Sequence, residues 1–477
     1  MAESSRGGPV ELPDEVRAVN VGLDVFADAV RKQGGQAVDV EWRIPASGKA
    51  ELVQALNRLF GPRAQSIDRA NDEVVKRLDR SAPVLVGMGT AKDEVPGMGD
   101  RTVLHPGPPL RWDEFCDPLR RSVRAAVMAE GWAATRDEAQ AVVDRGEVDL
   151  EPANHHAASI PMASALGPSA PVLIVDDDEE GGRRAYSGIN QGPGKTPWFG
   201  VDSKEAVERL TFLRDVAAPI LDSAIRAADP IDVFGFAAQG LQMGDDAHMR
   251  TQAATNVLIR HLLPHLAGQD DPRRMDVAGF LSGNHLFFLN AVMAAAKAAT
   301  DWAAEVEGAS IVTGMARNGT TFGVRVGSLG DQWFLAPAPP VEDALFHGDF
   351  GPDDGAPDIG DSALLELVGL GGAAAAASPA VATFVGGRMA DAVARTENMA
   401  RICEGASGRL KLPFLDYRGA PLGVDLRRVV ELDITPAINT GILHRSEGLG
   451  QVGAGVALAP IECFRSALLA LDGAVAG

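Results

Sequence analysis

The chain has 477 residues, 46% hydrophobic and 23% charged, which describes a folded globular protein with too many residues for one compact core. Its 44 basic and 65 acidic residues give a formal charge of −21, excluding a nucleic-acid or anionic-membrane partner but not a small anion held by a local arginine cluster. Cys116, Cys403 and Cys463 are far apart and odd in number, so neither a disulfide framework nor a cysteine zinc site is indicated. The first 15 residues carry no apolar signal core and no run has the length of a membrane span, so a cytoplasmic location is expected.

In chain order, residues 16–22 (VRAVNVG) read as a strand, 23–33 as a helix stopped by Gly34-Gly35, and 37–42 as a second strand. That order begins a parallel sheet with a right-handed crossover, so residues 1–149 are predicted to form a Rossmann-like parallel α/β domain. Its first turn, Val21-Gly22-Leu23, lacks the three-glycine fingerprint of a nucleotide site. Further helices are predicted at 50–60, 63–80, 113–131 (capped by Asp113) and 135–144, where Thr135-x-x-Glu138 is a capping-box pattern, with a strand at 83–88.

Residues 150–306 form a mixed segment with a helical insert. A polar knot, EPANHHAASIPM, is followed by strands at 171–175 and 184–191, the turn Gly192-Pro193-Gly194-Lys195, and a helical pattern from 202 to 306. Residues 307–477 read as an α+β, hairpin-rich domain. Its centre is SIVTGMARNGTTFGVRVGSLGDQWF, two apolar runs about Asn318-Gly319, the strongest short-range hairpin signal. Helical stretches follow at 359–369 and 379–405, then hairpin pieces at 414–424 and 433–456 and a closing helix at 460–471. The fold class is therefore multidomain α/β and α+β.

The hairpin would carry Arg317, Asn318, Arg325 and Asp331 near its ends, and an arginine fork beside an amide suits a planar anion. A hairpin whose arginine pairs with a structural aspartate is the bland alternative. Asn154, His155 and His156 form the most site-like knot, since imidazoles exchange protons near neutrality. Asp245, Asp246 and His248 bring two carboxylates and an imidazole to a helix junction, where helix capping competes with a metal; no HExxH-like spacing supports the metal. Asn284 precedes a long helix whose first backbone N–H groups would favour an anion, and Asp361, Asn439 and His444 complete the candidate set. The glycine-rich GLGQVGAG (448–455) is a poor dinucleotide fingerprint and reads better as a closely packed strand.

Several phrases in order, among them MGDDAHMR, GNHLFFLNAVMAAAKAA, MARNGTTFGVRVGSLGDQWF, DIGDSALLELVGLGG and INTGILHRSEGLGQVGAG, resemble the YlbE or AllG-type family across nearly the whole chain. The resemblance implies a subunit of an oxamate carbamoyltransferase, which exchanges oxalurate and phosphate for oxamate and carbamoyl phosphate. It also implies a multi-subunit complex with an acyl-CoA-synthetase-like partner, and self-association is compatible with it. No cofactor is implied; phosphate or carbamoyl phosphate enters as a substrate. On that chemistry Arg317 and Asn318 are expected to hold oxyanions, His155 or His156 to move the proton with His444 as competitor, and Asp331 and Asp361 to orient them. Arg317→Ala is then expected to abolish turnover with the fold intact. A non-catalytic partner subunit, or a stand-alone transferase or amidohydrolase on another ureido or amide substrate, are the alternatives.

Overall fold

The computed structural model of the chain describes residues 16–21, 23–40, 44–341, 343–383 and 387–474. Gly22 of the first predicted turn and residues 41–42 of the second predicted strand lie outside these. Strands Arg17–Val21 and Gln36–Val40 pair in parallel on either side of helix Asp24–Lys32, so the expected crossover forms. The Rossmann-like extension does not. Among the described residues that sheet has two strands, and the next strand, Pro83–Thr90, runs antiparallel to Pro171–Asp177 in a different sheet. Burial explains the difference. Val19 and Val38 are 70% and 64% exposed, so this pair lacks the two covered faces that a parallel sheet requires, whereas Leu85 and Met88 are buried.

The second sheet runs in the order Ala158–Ser159, Arg184–Gly188, Pro171–Asp177, Pro83–Thr90, Ile231–Asp232. Strands from both sides of residue 149 share it, and one cluster of buried apolar side chains runs from Ala46 to Leu471. The helical stretch after residue 202 forms as predicted and ends in Phe287–Ala303, a helix buried on almost every side. Such a helix is a core element. Its Lys297 is buried and satisfied by Asp301 at 2.5 and 2.6 Å. Among the described residues no single helix is long and apolar enough to cross a membrane.

The central hairpin pairs Val312–Asn318 with Thr321–Val326 and joins a four-stranded sheet with Phe334–Pro337 and Ile359–Gly360. Of Asn318 and Gly319, only the glycine takes positive φ, at +78°. A Cβ there would also meet Cys116 Sγ at 2.6 Å. Asn318 serves the turn through its side chain, whose Oδ1 accepts from the backbone N–H of Thr320 and Thr321 at 3.0 and 2.7 Å.

Two local expectations shift. The helix predicted from Asp113 starts at Asp117, because Pro118 fits only in a first helical turn; a short 3₁₀ turn, Trp112–Glu114, precedes it. Residues 362–377 wind in 3₁₀ turns, Ser362–Val368 and Gly371–Ala377, where an α-helix was expected to begin. GLGQVGAG enters Gln451–Leu458, the middle strand between Asp343–Phe346 and Ala437–Leu443. A Cβ on Gly453 would lie 2.6 Å from Leu345 O, so the glycine permits that close approach.

Candidate functional site

Arg317 sits on the inward face of its hairpin, fully buried. Its Nε donates to Asp358 at 2.7 Å, Nη1 to Gly360 O at 2.9 Å and Ser362 Oγ at 3.2 Å, and Nη2 to Thr440 Oγ1 at 3.3 Å. Thr440 passes its own proton to Asp358 at 2.8 Å. Every nitrogen of the fork thus has a protein partner, and Arg317 fixes two hydroxyls rather than meeting a ligand itself. Asn318 donates to Pro108 O and Thr321 Oγ1.

Next to it, Asp361 gathers three donors: Gly107 N at 2.8 Å, Asn154 Nδ2 at 2.9 Å and Ile160 N at 2.9 Å. Complete burial pushes its carboxyl up to about 7 against the pull of those donors and of Arg317. Asn154 and Asp361 are therefore brought together, in the interior. His156 engages Glu151 through Nε2 and Pro96 O through Nδ1, both at 2.7 Å. His155 faces the opposite way, at the surface, where its Nε2 accepts from Trp333 Nε1 at 2.9 Å. Partial burial lowers its pKa, helped by nearby Arg325. Arg325 lies over the Trp333 ring and pairs with Asp331. His444 stands apart, bonded through Nδ1 to Ser446 O, with Asp354 3.9 Å from its Nε2.

A third assembly lies at the helix junction. Asp246 accepts from the backbone N–H of His248, Met249 and Arg250, and from Asn439 Nδ2 at 2.6 Å. Asp245 accepts from Ala254 N in the first turn of helix Gln252–Ala267; burial pushes its carboxyl up to about 6. Both carboxylates thus serve backbone donors, and among the described residues no group of three His, Cys, Asp or Glu side chains is placed to hold a metal. His248 is held differently. Its Nδ1 lies 2.7 Å from Glu366 Oε1, and both side chains are buried. Glu366 Oε1 also accepts from Gly372 N and Asn439 N, which pins the carboxylate. A Cβ on Gly371 would fall 2.1 Å from Glu366 Oε1 and 3.0 Å from His248 Nδ1, so only glycine fits against this dyad. A carboxylate on one imidazole nitrogen sets ring orientation and tautomer, leaving Nε2 for proton transfer.

That ring lines a cleft. The inner compartment, about 50 Å³, is walled by His248, Ser362, Thr440, Gln451 and the apolar Met162, Trp198, Phe199 and Leu289. It shares Trp198, Phe199, Leu286 and Gln451 with an outer compartment of about 260 Å³, where Lys195, Asn284, His285 and His347 appear. The outer space is the roomier, and the inner one holds a group of only a few atoms. Among the described residues no carboxylate lines either compartment. Asn284 reaches the wall as predicted but donates to Asn190 Oδ1 at 2.7 Å. The helix start beside it is closed to an anion: Phe287 N bonds Asn284 O, Phe288 N bonds Thr255 Oγ1 and Leu289 N bonds Leu286 O.

So the cleft collects Asn284 and His248 from the predicted residues, has Arg317 behind its wall, and leaves His155, His156, Asp331 and His444 outside it. Sequence reasoning missed Glu366, Ser362, Thr440, Gln451, Lys195, His285 and His347 as site residues. Glu366 had one visible signal, a lone acid within the apolar run LLELV.

Comparisons with known proteins bear on this geometry. Residues 148–362 match the family model of oxamate carbamoyltransferase subunit AllG. The chain is 41% identical over 411 residues to the oxamate carbamoyltransferase subunit AllG of Escherichia coli (strain K12), covering 85% of this chain and 98% of that protein. It is 36% identical over 457 residues to the uncharacterized protein YahG of the same organism, covering 95% and 96%. The crystal structure of a conserved protein of unknown function from Enterococcus faecalis V583 matches with a TM-score of 0.84 at 34% identity, over 86% of this chain and 98% of that one.

Proposed function

Because this chain belongs to the AllG family, we propose that it is a subunit of an oxamate carbamoyltransferase-like complex and that the cleft at His248 receives the ureido substrate. The observation that carries the assignment is the buried Glu366–His248 dyad on a cleft that no carboxylate lines among the described residues. In the direction from oxalurate, a phosphate oxygen attacks the ureido carbonyl carbon and the bond to the oxamate nitrogen breaks. Phosphate gives up a proton and the departing amide nitrogen needs one. His248 takes the first through Nε2 and delivers it to the second, so one imidazole balances the exchange. Ser362 and Thr440, held by Arg317, and Gln451 offer hydrogen bonds to the carbamoyl group in a compartment otherwise walled by apolar side chains. Arg317 is then a positioning residue. The companion expected from the family resemblance is an acyl-CoA-synthetase-like subunit.

The test is a carbamoyl phosphate and oxamate assay on the complex obtained by co-purification with the chain's encoded neighbours. His248→Asn keeps a donor near the Nδ1 position for Glu366 and removes Nε2. Turnover is expected to fall by about 10²–10⁴-fold with the complex intact. Wild-type turnover in this variant would remove His248 from the chemistry.

A further inference from the structure

The two compartments differ in what they offer a ligand. The inner one presents hydroxyls, an amide and the dyad imidazole, and no other ionisable side chain among the described residues. The outer one presents Lys195, His285 and His347. In two other clefts the cations face carboxylates: the one containing Arg214 also contains Glu130, and the one containing Arg136 and Lys204 also contains Asp202 and Glu208. In a chain with 65 acidic residues, a concave surface with a lysine, two imidazoles and no acid is set apart.

The donors there are also unspent. Neither Lys195 Nζ nor the rings of His285 and His347 form a hydrogen bond or ion pair among the described residues, in contrast to Arg317, Arg427 and Lys297. Burial lowers the pKa of His285, with Arg250 adding to the effect. The loop carrying the lysine turns through Gly192 and Gly194, at φ +80° and +100°. Nothing lies within 4 Å of a Cβ built on Gly194, so the loop opens outward there. The backbone N–H groups of Gly194 and Lys195 have no partner among the described residues.

We infer that the outer compartment is the phosphate subsite: Lys195, with His285, His347 and the Gly194–Lys195 backbone, receives the dianionic end of inorganic phosphate or carbamoyl phosphate. This rests on the transferase reading above and divides the cleft by charge. The dianion stays at the lysine, and the uncharged carbamoyl carbon reaches past Gln451, common to both compartments, toward His248. A phosphate oxygen and the ureido carbonyl then meet at the junction walled by Trp198 and Phe199.

The experiment is equilibrium titration of the full chain, alone and in its co-purified complex, with inorganic phosphate, beside steady-state kinetics of the complex with phosphate and oxalurate varied in turn. Lys195→Met is an exposed substitution and is expected to melt like the wild type. It should weaken phosphate binding about tenfold or more and raise KM for phosphate to match, with KM for oxalurate within about twofold. His285→Asn/His347→Asn should act in the same direction, and His248→Asn should bind phosphate normally. Phosphate binding equal in Lys195→Met and wild type, or no saturable phosphate binding to the wild-type chain in either form, overturns the subsite. If phosphate binds through Lys195 but the complex transfers no carbamoyl group, the subsite stands and the transferase reading fails. If transfer occurs with KM for phosphate unchanged in Lys195→Met, the reverse holds.

Discussion

The network behind the central hairpin and the cleft at His248 are built from the same kinds of residues and do opposite things with them. Around Arg317 the charged groups are spent in the interior: the fork and Asp358 satisfy each other and hold Thr440 and Ser362, with no exposure of the arginine. Around His248 the carboxylate is spent on orienting a ring whose other edge faces open volume. A saturated cluster holds a fold together, and a cluster with one donor left over can act on something else. Hydrogen bonds alone therefore do not mark a site; what remains after they are counted does.

The largest way to break this contrast is Arg317→Met. Removing one partner of a fully buried pair leaves Asp358 charged in the interior, a loss of about 3–5 kcal/mol that consumes much of a typical domain's stability. The expected outcome is a steep fall in urea midpoint and soluble yield, and Arg317→Met/Asp358→Leu should recover much of it. A single variant that folds like the wild type but is inactive would return Arg317 to the chemistry, as its sequence motif first suggested.

That motif also shows what the sequence could disclose. A hairpin about Asn318-Gly319, the helices between 204 and 303 and the Thr135 cap depend on neighbours within a few residues, and they are found. Whether the parallel pair at the N-terminus gains a third strand depends on which faces are covered, and no local pattern records that. The cleft is harder still. His248 and Lys195 on loops, Glu366 on a 3₁₀ turn and Thr440 within a strand are separated by up to 245 positions and arranged by packing rather than by spacing. Turn signals marked several of these segments, but they drew notice to Arg317 and Asn318, which fill the turn and the interior behind it.

A smaller effect sharpens the same comparison through pH. The Asp361 carboxyl rises from 3.8 to about 7 on folding, and that of Asp245 from 3.8 to about 6, each mainly through burial. With folded pKa above unfolded, their contribution is fully present below about pH 4 and is lost as pH rises through 6 to 7. For Asp361 the change is on the order of 2–4 kcal/mol. The check is the urea midpoint at pH 5 and pH 8 for wild type and Asp361→Asn. The amide would turn an N–H toward Ile160 N and be less stable throughout, so the slope is the readout. A flatter slope in the variant supports a saturated interior carboxyl; an unchanged slope places the titration elsewhere.

The smallest expected effect concerns His155, the most chemically suggestive residue of the polar knot. In the structure it is exposed and accepts one hydrogen bond from Trp333, itself beneath Arg325 and its partner Asp331. A single exposed hydrogen bond contributes about 0.5–1 kcal/mol, and nothing about it requires a proton to move. His155→Gln is accordingly expected to shift the urea midpoint slightly and leave carbamoyl transfer within about twofold of wild type, against a loss of about 10²–10⁴-fold in His248→Asn. Measured side by side in one complex, the two variants ask where the proton chemistry sits. A large loss in His155→Gln with His248→Asn active would move it from the cleft to the surface beside Trp333. In that case an open surface would imply a site completed by the companion subunit, because an exposed imidazole alone excludes no water from the ureido carbon.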